Sequence, residues 1–72
     1  MTTVNLNDTL ICNFGALHAP VETVVEAIEG SIIWHRDISE PEATLYYTEA
    51  QNVYDSEESL LASGSPIGVY LK

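Results

Sequence analysis

The sequence predicts one small α+β domain, residues 1–72, with the element order β-α-β-β-α-β. Three observations support this order: several alternating apolar segments, one apolar stripe at helical spacing, and a short capped segment after Tyr54. The order fits a four-stranded antiparallel sheet with one or two short helices on one face, ferredoxin-like or a reduced variant. A chain this short buries only about 60% of the surface that it exposes when unfolded, so a single thin core is expected.

The first strand is predicted over Val4–Phe14, where apolar residues at even positions alternate with mostly polar ones. The half from Thr9 to Phe14 is the better supported one, because Asn7 and Asp8 are typical of a bend. Gly15 is the expected end of this strand.

The first helix is predicted to begin at Pro20, because the first helical position leaves its N–H unpaired and proline has none. Four apolar residues follow at the spacing i, i+3, i+4 and i+7, which is the apolar stripe of an amphipathic helix. They are Val21, Val24, Val25 and Ile28. Gly30 is the expected helix stop.

Two further strands are predicted to form an antiparallel hairpin, over Ser31–Ile38 and Ala43–Glu49. The loop between them, residues 39–42, has the sequence Ser-Glu-Pro-Glu, which is typical of a turn. Tyr46 and Tyr47 are neighbours in the second strand, so they point to opposite faces and at most one of them enters the core.

A short second helix is predicted over Ser56–Ala62, because Asp55 followed by Glu58 matches a capping box. The preceding residues, 51–54, fit either a strand or a loop. Ser-Gly-Ser-Pro at residues 63–66 ends the helix, and alternation over Ile67–Leu71 predicts a last strand.

The charge of the chain is strongly negative. Eleven carboxylates face two cationic side chains, Arg36 and Lys72, which gives a net charge of −9 and a pI of about 4.1. Such a surface repels nucleic acid and anionic membranes, and it attracts basic protein surfaces over a screening length of roughly 8–10 Å. The expected partner is therefore the basic surface of a nucleic-acid-binding protein, with no direct binding to nucleic acid or membrane.

Residues with catalytic or metal-binding chemistry are few. The one cysteine, Cys12, excludes an internal disulfide and a tetrathiolate zinc site, and its parity in the first strand favours a buried thiol. His18 and His35 lack metal-ligand spacing, and the glycines form no phosphate-binding loop. We therefore expect neither an enzyme, a metal site nor a cofactor.

The location predicted from the sequence is the cytoplasm, of the host cell if the chain is encoded by a phage. The N-terminal residues have no basic segment before an apolar stretch, as a secretory signal would. Apolar runs are no longer than two or three residues, whereas a membrane-spanning helix needs about 20.

Three acidic clusters are the candidate partner-binding residues. Glu22, Glu26 and Glu29 would lie opposite the valine stripe of the first helix, a second cluster lies at the hairpin tip and a third at the start of the second helix. The second and third clusters are Glu40, Glu42, Asp55, Glu57 and Glu58. An exposed tyrosine, Tyr46 or Tyr54, would add an apolar anchor. The alternative is that these acids form a solvated face that only confers solubility.

In size, charge and lack of a catalytic motif, the chain resembles the small acidic proteins with which bacteriophages and mobile elements block host nucleases or polymerases. This class includes anti-restriction and anti-CRISPR proteins that mimic DNA. The resemblance implies a protein that occupies a nucleic-acid-binding surface and inhibits its owner. Duplex DNA carries one charge per 1.7 Å of axis, and rows of carboxylates can imitate part of that density.

The alternative function is that of a structural or assembly module. Such a module would self-associate through an open sheet face or an edge strand, for which Ile67–Leu71 is the candidate. A homodimer is compatible with the thin core, because a second subunit would bury more apolar area.

Overall fold

The computed structural model describes residues 2–15, 17–40, 42, 45–65 and 67–72. These residues form one six-stranded sheet, curled into a half-barrel, and one short helix. The elements are β1 (Thr9–Asn13), β2 (Val21–Glu29), β3 (Ile32–Asp37), β4 (Leu45–Glu49), a 3₁₀ turn (Ala50–Asn52), β5 (Val53–Tyr54), α1 (Glu57–Ala62) and β6 (Gly68–Leu71). The predicted ferredoxin-like fold with the order β-α-β-β-α-β is therefore wrong, and the protein is mostly sheet.

The main error concerns the segment predicted as the first helix, which is the nine-residue strand β2. Val, Thr and Ile supply five of its nine residues, and β-branched side chains favour strands. Gly30 does not stop a helix. It has a φ of 61° and forms with Ser31 the two-residue turn between β2 and β3, where Glu29 pairs with Ile32. A positive φ at the first turn residue is typical of the type II′ hairpin.

A β-bulge explains why β2 resembles a helix in sequence. The pairing with β3 shifts between Val25 and Ala27, so Glu26 is the extra residue. Before the bulge, Thr23 and Val25 face the sheet interior, and after it the parity changes, so that Ile28 pairs with the buried Ile33. The resulting break in alternation imitates a period of 3.6 residues.

The sheet order is β4-β3-β2-β1-β6-β5, antiparallel throughout except for the parallel pair β5–β6. Six flat strands would place β4 and β5 about 24 Å apart. Only Ala50–Asn52 joins these two strands. Even when fully extended, this connection keeps the Cα atoms of Glu49 and Val53 within about 14 Å of each other. The sheet must therefore curl, which brings its two edges closer to each other than they would be in a flat sheet.

The interior of the half-barrel is the main apolar core, formed by Leu10, Val25, Ile33 and Val53. These residues come from four different strands, so the core depends on the whole sheet. The predicted burial of Cys12 on the same parity as Leu10 is confirmed.

Helix α1 packs on the outer face of the sheet, where Leu60 contacts Ile11 and Tyr70 in a second buried cluster. Its predicted range differs from the observed one by a single residue. The predicted cap differs too, since Ser56 is the N-cap and its side chain accepts a hydrogen bond from the Ser59 amide. Serine at the cap satisfies a helical N–H that would otherwise lack a partner.

The last strand, β6, is correctly predicted as a strand but lies between β1 and β5. It is therefore not the edge expected from the sequence. The edges are β4 and the two-residue β5.

Candidate functional site

The first acidic cluster, Glu22, Glu26 and Glu29, lies on a strand and so lacks the helical spacing on which it was predicted. The three residues still share one face, the outer face of the sheet. Glu22 pairs with Ile11 on that face, Glu29 pairs with Ile32, and the bulge turns Glu26 outward toward Arg36.

Both cationic side chains of the protein bind this cluster. Arg36 forms a two-pronged ion pair with Glu26, in which Nε lies 2.6 Å from Oε1 and Nη2 lies 3.1 Å from Oε2. The hydrogen bond from Arg36 lowers the pKa of Glu26 below its ordinary value. Lys72 Nζ lies 3.2 Å from Glu22 Oε1. Two of the three glutamates are thus neutralised locally, and the cluster is not the uncompensated row that its sequence predicts.

The second cluster, at the connection between β3 and β4, is exposed at Glu40 and Glu42. Asp37 precedes it and accepts hydrogen bonds from the amide and hydroxyl of Ser39, which lower the pKa of Asp37. Pro41, in the predicted turn, lies outside the described residues. No ion pair to these acids occurs among the residues that the structure describes.

The third cluster surrounds the start of α1 and is partly occupied by internal hydrogen bonds. Asp55 accepts a hydrogen bond from the Thr2 hydroxyl, and Glu57 accepts one from the Tyr70 hydroxyl at 3.0 Å. Burial and the nearby Glu57 carboxylate raise the pKa of Tyr70. Glu58 is exposed and lies in the first turn of the helix, where a negative charge is favourable.

The tyrosines predicted as exposed anchors are both half-buried. Tyr46 points into the half-barrel, where its ring stacks on His35 and contacts Phe14. Tyr54 packs against the cluster around Leu60. Tyr46 and Tyr47 do point to opposite faces, as predicted, but the exposed one is Tyr47.

The exposed aromatic surface was therefore missed by the sequence reasoning. Tyr47 is 69% exposed, and its ring lies 5.6 Å from that of Trp34, centroid to centroid, at 51°. Trp34 lies on the outer face, because Ile33 and His35 are the buried residues of β3. The signal in the sequence is the alternation in β3, which places Ile33 and His35 on one face and Trp34 on the other.

His35 is fully buried, and both of its ring nitrogens are hydrogen-bonded. The Thr23 hydroxyl donates to the Leu10 carbonyl at 2.8 Å, so its oxygen must accept the proton of His35 Nδ1, 2.9 Å away. His35 Nε2 then accepts from the Thr48 hydroxyl at 2.8 Å. Burial lowers the pKa of His35, which favours the neutral ring.

Cys12 lies beside this network, with its Sγ 3.8 Å from His35 Nδ1. Burial raises the pKa of the Cys12 thiol to about 11, and the charge of Asp37 adds to that effect. A thiol of this kind is unreactive at neutral pH, because the thiolate is the nucleophile. Among the described residues, no group of three or more His, Cys, Asp or Glu side chains is placed to hold a metal ion.

One open cleft of about 330 Å³ lies between the 3₁₀ turn and the beginning of β6. Its lining contains amide and apolar side chains and one tyrosine, but no carboxylate, imidazole or thiol. The lining residues are Gln51, Asn52, Val53, Tyr54, Ile67 and Gly68. The acidic clusters and the cleft are thus separate features.

Comparison of the chain with protein-family models, with curated proteins and with solved structures gave no match. Within the described residues, none of the helices has the length and apolar character that crossing a membrane requires.

Proposed function

We propose that this chain is a non-enzymatic binding protein that occupies a basic, nucleic-acid-binding surface of a partner protein or complex and inhibits that partner. One observation carries the proposal. Arg36 and Lys72 are the only cationic side chains, and both are engaged with Glu26 and Glu22 on β2. Nine carboxylates therefore depend on solvent, or on a partner's lysines and arginines, for their counterions.

The amount of charge suits this role. The longest dimension of the molecule is 30 Å, and over that length one strand of duplex DNA carries about nine phosphates. The net charge of the protein is −9. A basic groove that accepts one strand of a duplex would therefore meet a similar total charge on this protein.

The proposed contact charges are the seven exposed acids among the nine outside these two ion pairs; the other two, Asp8 and Asp37, are half-buried. Glu29 remains from the first cluster, while Glu22 and Glu26 contribute less because each already has a cation. The others are Glu40, Glu42, Asp55, Glu57 and Glu58 from the predicted set, together with Glu49 on β4. The partner class that fits is a host nuclease or polymerase, as for the phage inhibitors that the chain resembles.

A displacement assay tests this proposal. Host proteins captured at low salt on the immobilised chain are purified and loaded with fluorescently labelled duplex DNA. We expect the chain to displace the DNA, and its affinity to fall steeply as the salt concentration rises from about 50 to 300 mM. DNA that stays bound at a saturating concentration of the chain would refute the proposal, as would an affinity independent of salt.

Two double variants with the same change in net charge provide the matched control. Glu40→Gln with Glu42→Gln removes uncompensated acids, whereas Glu22→Gln with Glu26→Gln removes acids that are already paired. We expect the first variant to lose more affinity than the second. Equal losses would mean that total charge alone acts and that no acidic cluster forms the contact.

A further inference from the structure

The outer face of β3 and β4, next to the free edge of β4, combines exposed aromatic groups with uncompensated acids. Strand register places Glu29, Ile32 and Glu49 in one row across β2, β3 and β4. The next row contains Trp34 and Tyr47. The Cα atoms of Glu29 and Glu49 are about 10 Å apart, because neighbouring strands are about 4.8 Å apart.

This surface has two properties that favour a cationic ligand. Tyr47 offers a ring that is 69% exposed and braced by Trp34. Glu49 is exposed and its carboxylate is oriented by a hydrogen bond from the Gln51 side chain at 2.8 Å. One guanidinium group can stack on the tyrosine ring, and a second can pair with the carboxylate.

The edge of β4 is also open to pairing. In the described part of the chain, β4 pairs with β3 alone, in a continuous register without a bulge. Leu45–Glu49 contains neither proline nor lysine, the residues that commonly protect an edge. At the opposite edge, by contrast, the Thr2 hydroxyl oxygen lies 2.8 Å from the Val53 carbonyl oxygen.

The negative charge of the chain favours a basic segment over a second copy of the chain as the occupant of this edge. A second copy of the chain would bring another net charge of −9 against the first, and long-range repulsion opposes that approach. A basic segment is attracted by the same field. We propose that an extended, arginine-bearing segment of a basic partner pairs with the free edge of β4 and lays alternate arginine side chains against Tyr47 and Glu49. The proposal rests on the proposed function and names its docking surface and the chemistry of the partner segment.

The geometry of strand addition explains the alternation. Side chains of an added strand on the outer face would lie about 4.5–5.5 Å, Cβ to Cβ, from those of β4. Tyr47 and Glu49 are two residues apart on that face. Arginines at positions i and i+2 of the partner segment would therefore meet one each.

The probe is the capped heptapeptide Arg-Thr-Arg-Thr-Arg-Thr-Arg, and the control is the same peptide N-methylated at every residue, which keeps the charge but cannot donate backbone hydrogen bonds. Binding is measured by calorimetry and by tryptophan fluorescence. Trp34 is the only tryptophan and lies in the proposed surface, so its emission reports on this site. We expect the emission to change together with the calorimetric signal and the N-methylated peptide to bind at least about tenfold more weakly.

Four variants locate the contact. We expect Tyr47→Ala to weaken peptide binding about tenfold and Glu49→Gln about threefold. The matched controls are Leu61→Ala, which removes an exposed apolar group on α1, and Asp8→Asn, which removes an acid outside the proposed contact charges. We expect each to change binding less than about twofold. Tyr47, Glu49 and Leu61 are exposed, and an asparagine oxygen at position 8 can still accept from the Asn5 amide, so folding should be preserved.

Three outcomes would overturn the inference. The peptide could bind without changing Trp34 emission and with equal effects of Glu49→Gln and Asp8→Asn, which would place binding elsewhere and leave the proposed function standing. The peptide could fail to bind at all, in which case the DNA-displacement assay still decides the proposed function independently. Sedimentation could show a dimer that Tyr47→Ala dissociates, which would make a second copy the occupant of the edge.

Discussion

His35 should make this protein less stable as the pH falls from 7 to 5. The ring is fully buried and its two nitrogens are hydrogen-bonded to Thr23 and Thr48. Burial penalises the charged ring and lowers the pKa of His35 below the ordinary value of 6.5. The unfolded chain, whose imidazole is solvated, therefore binds a proton at a higher pH than the folded protein does.

The sign and the size of the effect follow from proton linkage. The stabilisation is complete above pH 6.5 and is lost as the pH falls through the lowered pKa of His35 in the folded protein. While the unfolded state carries this proton and the folded state does not, the free energy of unfolding falls by up to about 1.4 kcal/mol per pH unit. For a domain of this size, each kcal/mol lowers Tm by about 4–8 °C.

Urea unfolding at several pH values between 5 and 8, followed by the fluorescence of Trp34, measures this slope. His35→Gln should remove the slope, although it also lowers stability at every pH. His18→Gln is the matched control, because His18 is exposed, and it should keep the slope of the parent protein.

Carboxylates do not obscure the comparison. The pKa values of Glu26 and Asp37 are lowered, so these groups titrate mainly below the pH range of the experiment. The remaining acids are the same in all three proteins. If the parent and His35→Gln have the same slope between pH 7 and 5, the buried neutral histidine is not the cause and the reasoning is wrong.

Three further predictions concern packing, capping and thiol chemistry. Gly68→Ala would place a Cβ 2.7 Å from Cδ1 of the buried Leu60. We expect the free energy of unfolding, measured in urea, to fall by about 1–3 kcal/mol. An unchanged urea midpoint would show that the Leu60 side chain moves aside without cost. Ser56→Ala removes the N-cap of α1 and should cost about 1 kcal/mol in the same assay, whereas no change would mean that the cap is replaced by water. Cys12, with a pKa of about 11, should react with a thiol reagent at pH 8 only as fast as the protein unfolds, and immediate stoichiometric labelling would contradict its burial.

Four of the six strands and helix α1 could be predicted from the sequence, because their patterns are local. Alternation located β1, β3 and β6, the β-formers around Tyr47 located β4, and the capping-box pattern of Asp55 and Glu58 indicated α1. The segment Val21–Glu29 failed because a bulge at Glu26 shifts its parity, so neither period fits it alone. Its β-branched composition and the Gly-Ser dipeptide that follows were the signals for a strand and a tight hairpin.

The acidic character of the candidate site was predictable, but its distribution was not. Composition gives the net charge without regard to fold. The pairing of Glu22 with Lys72 joins residues 50 positions apart, and it depends on β1 and β6 lying next to each other. The aromatic surface of Trp34 and Tyr47 likewise depends on which face of β3 is covered, which only the assembled half-barrel decides.

The position of β6 sets the moment at which this protein can fold during synthesis. It is the last strand in sequence, yet it separates β1 from β5 and supplies the pairing of both. Until residues 68–71 have left the ribosome, β5 has no neighbouring strand and Leu60 lacks Tyr70 to pack against. Nascent chains shorter than this are expected to remain largely unstructured, because β1 and β5 then lack the strand that joins them.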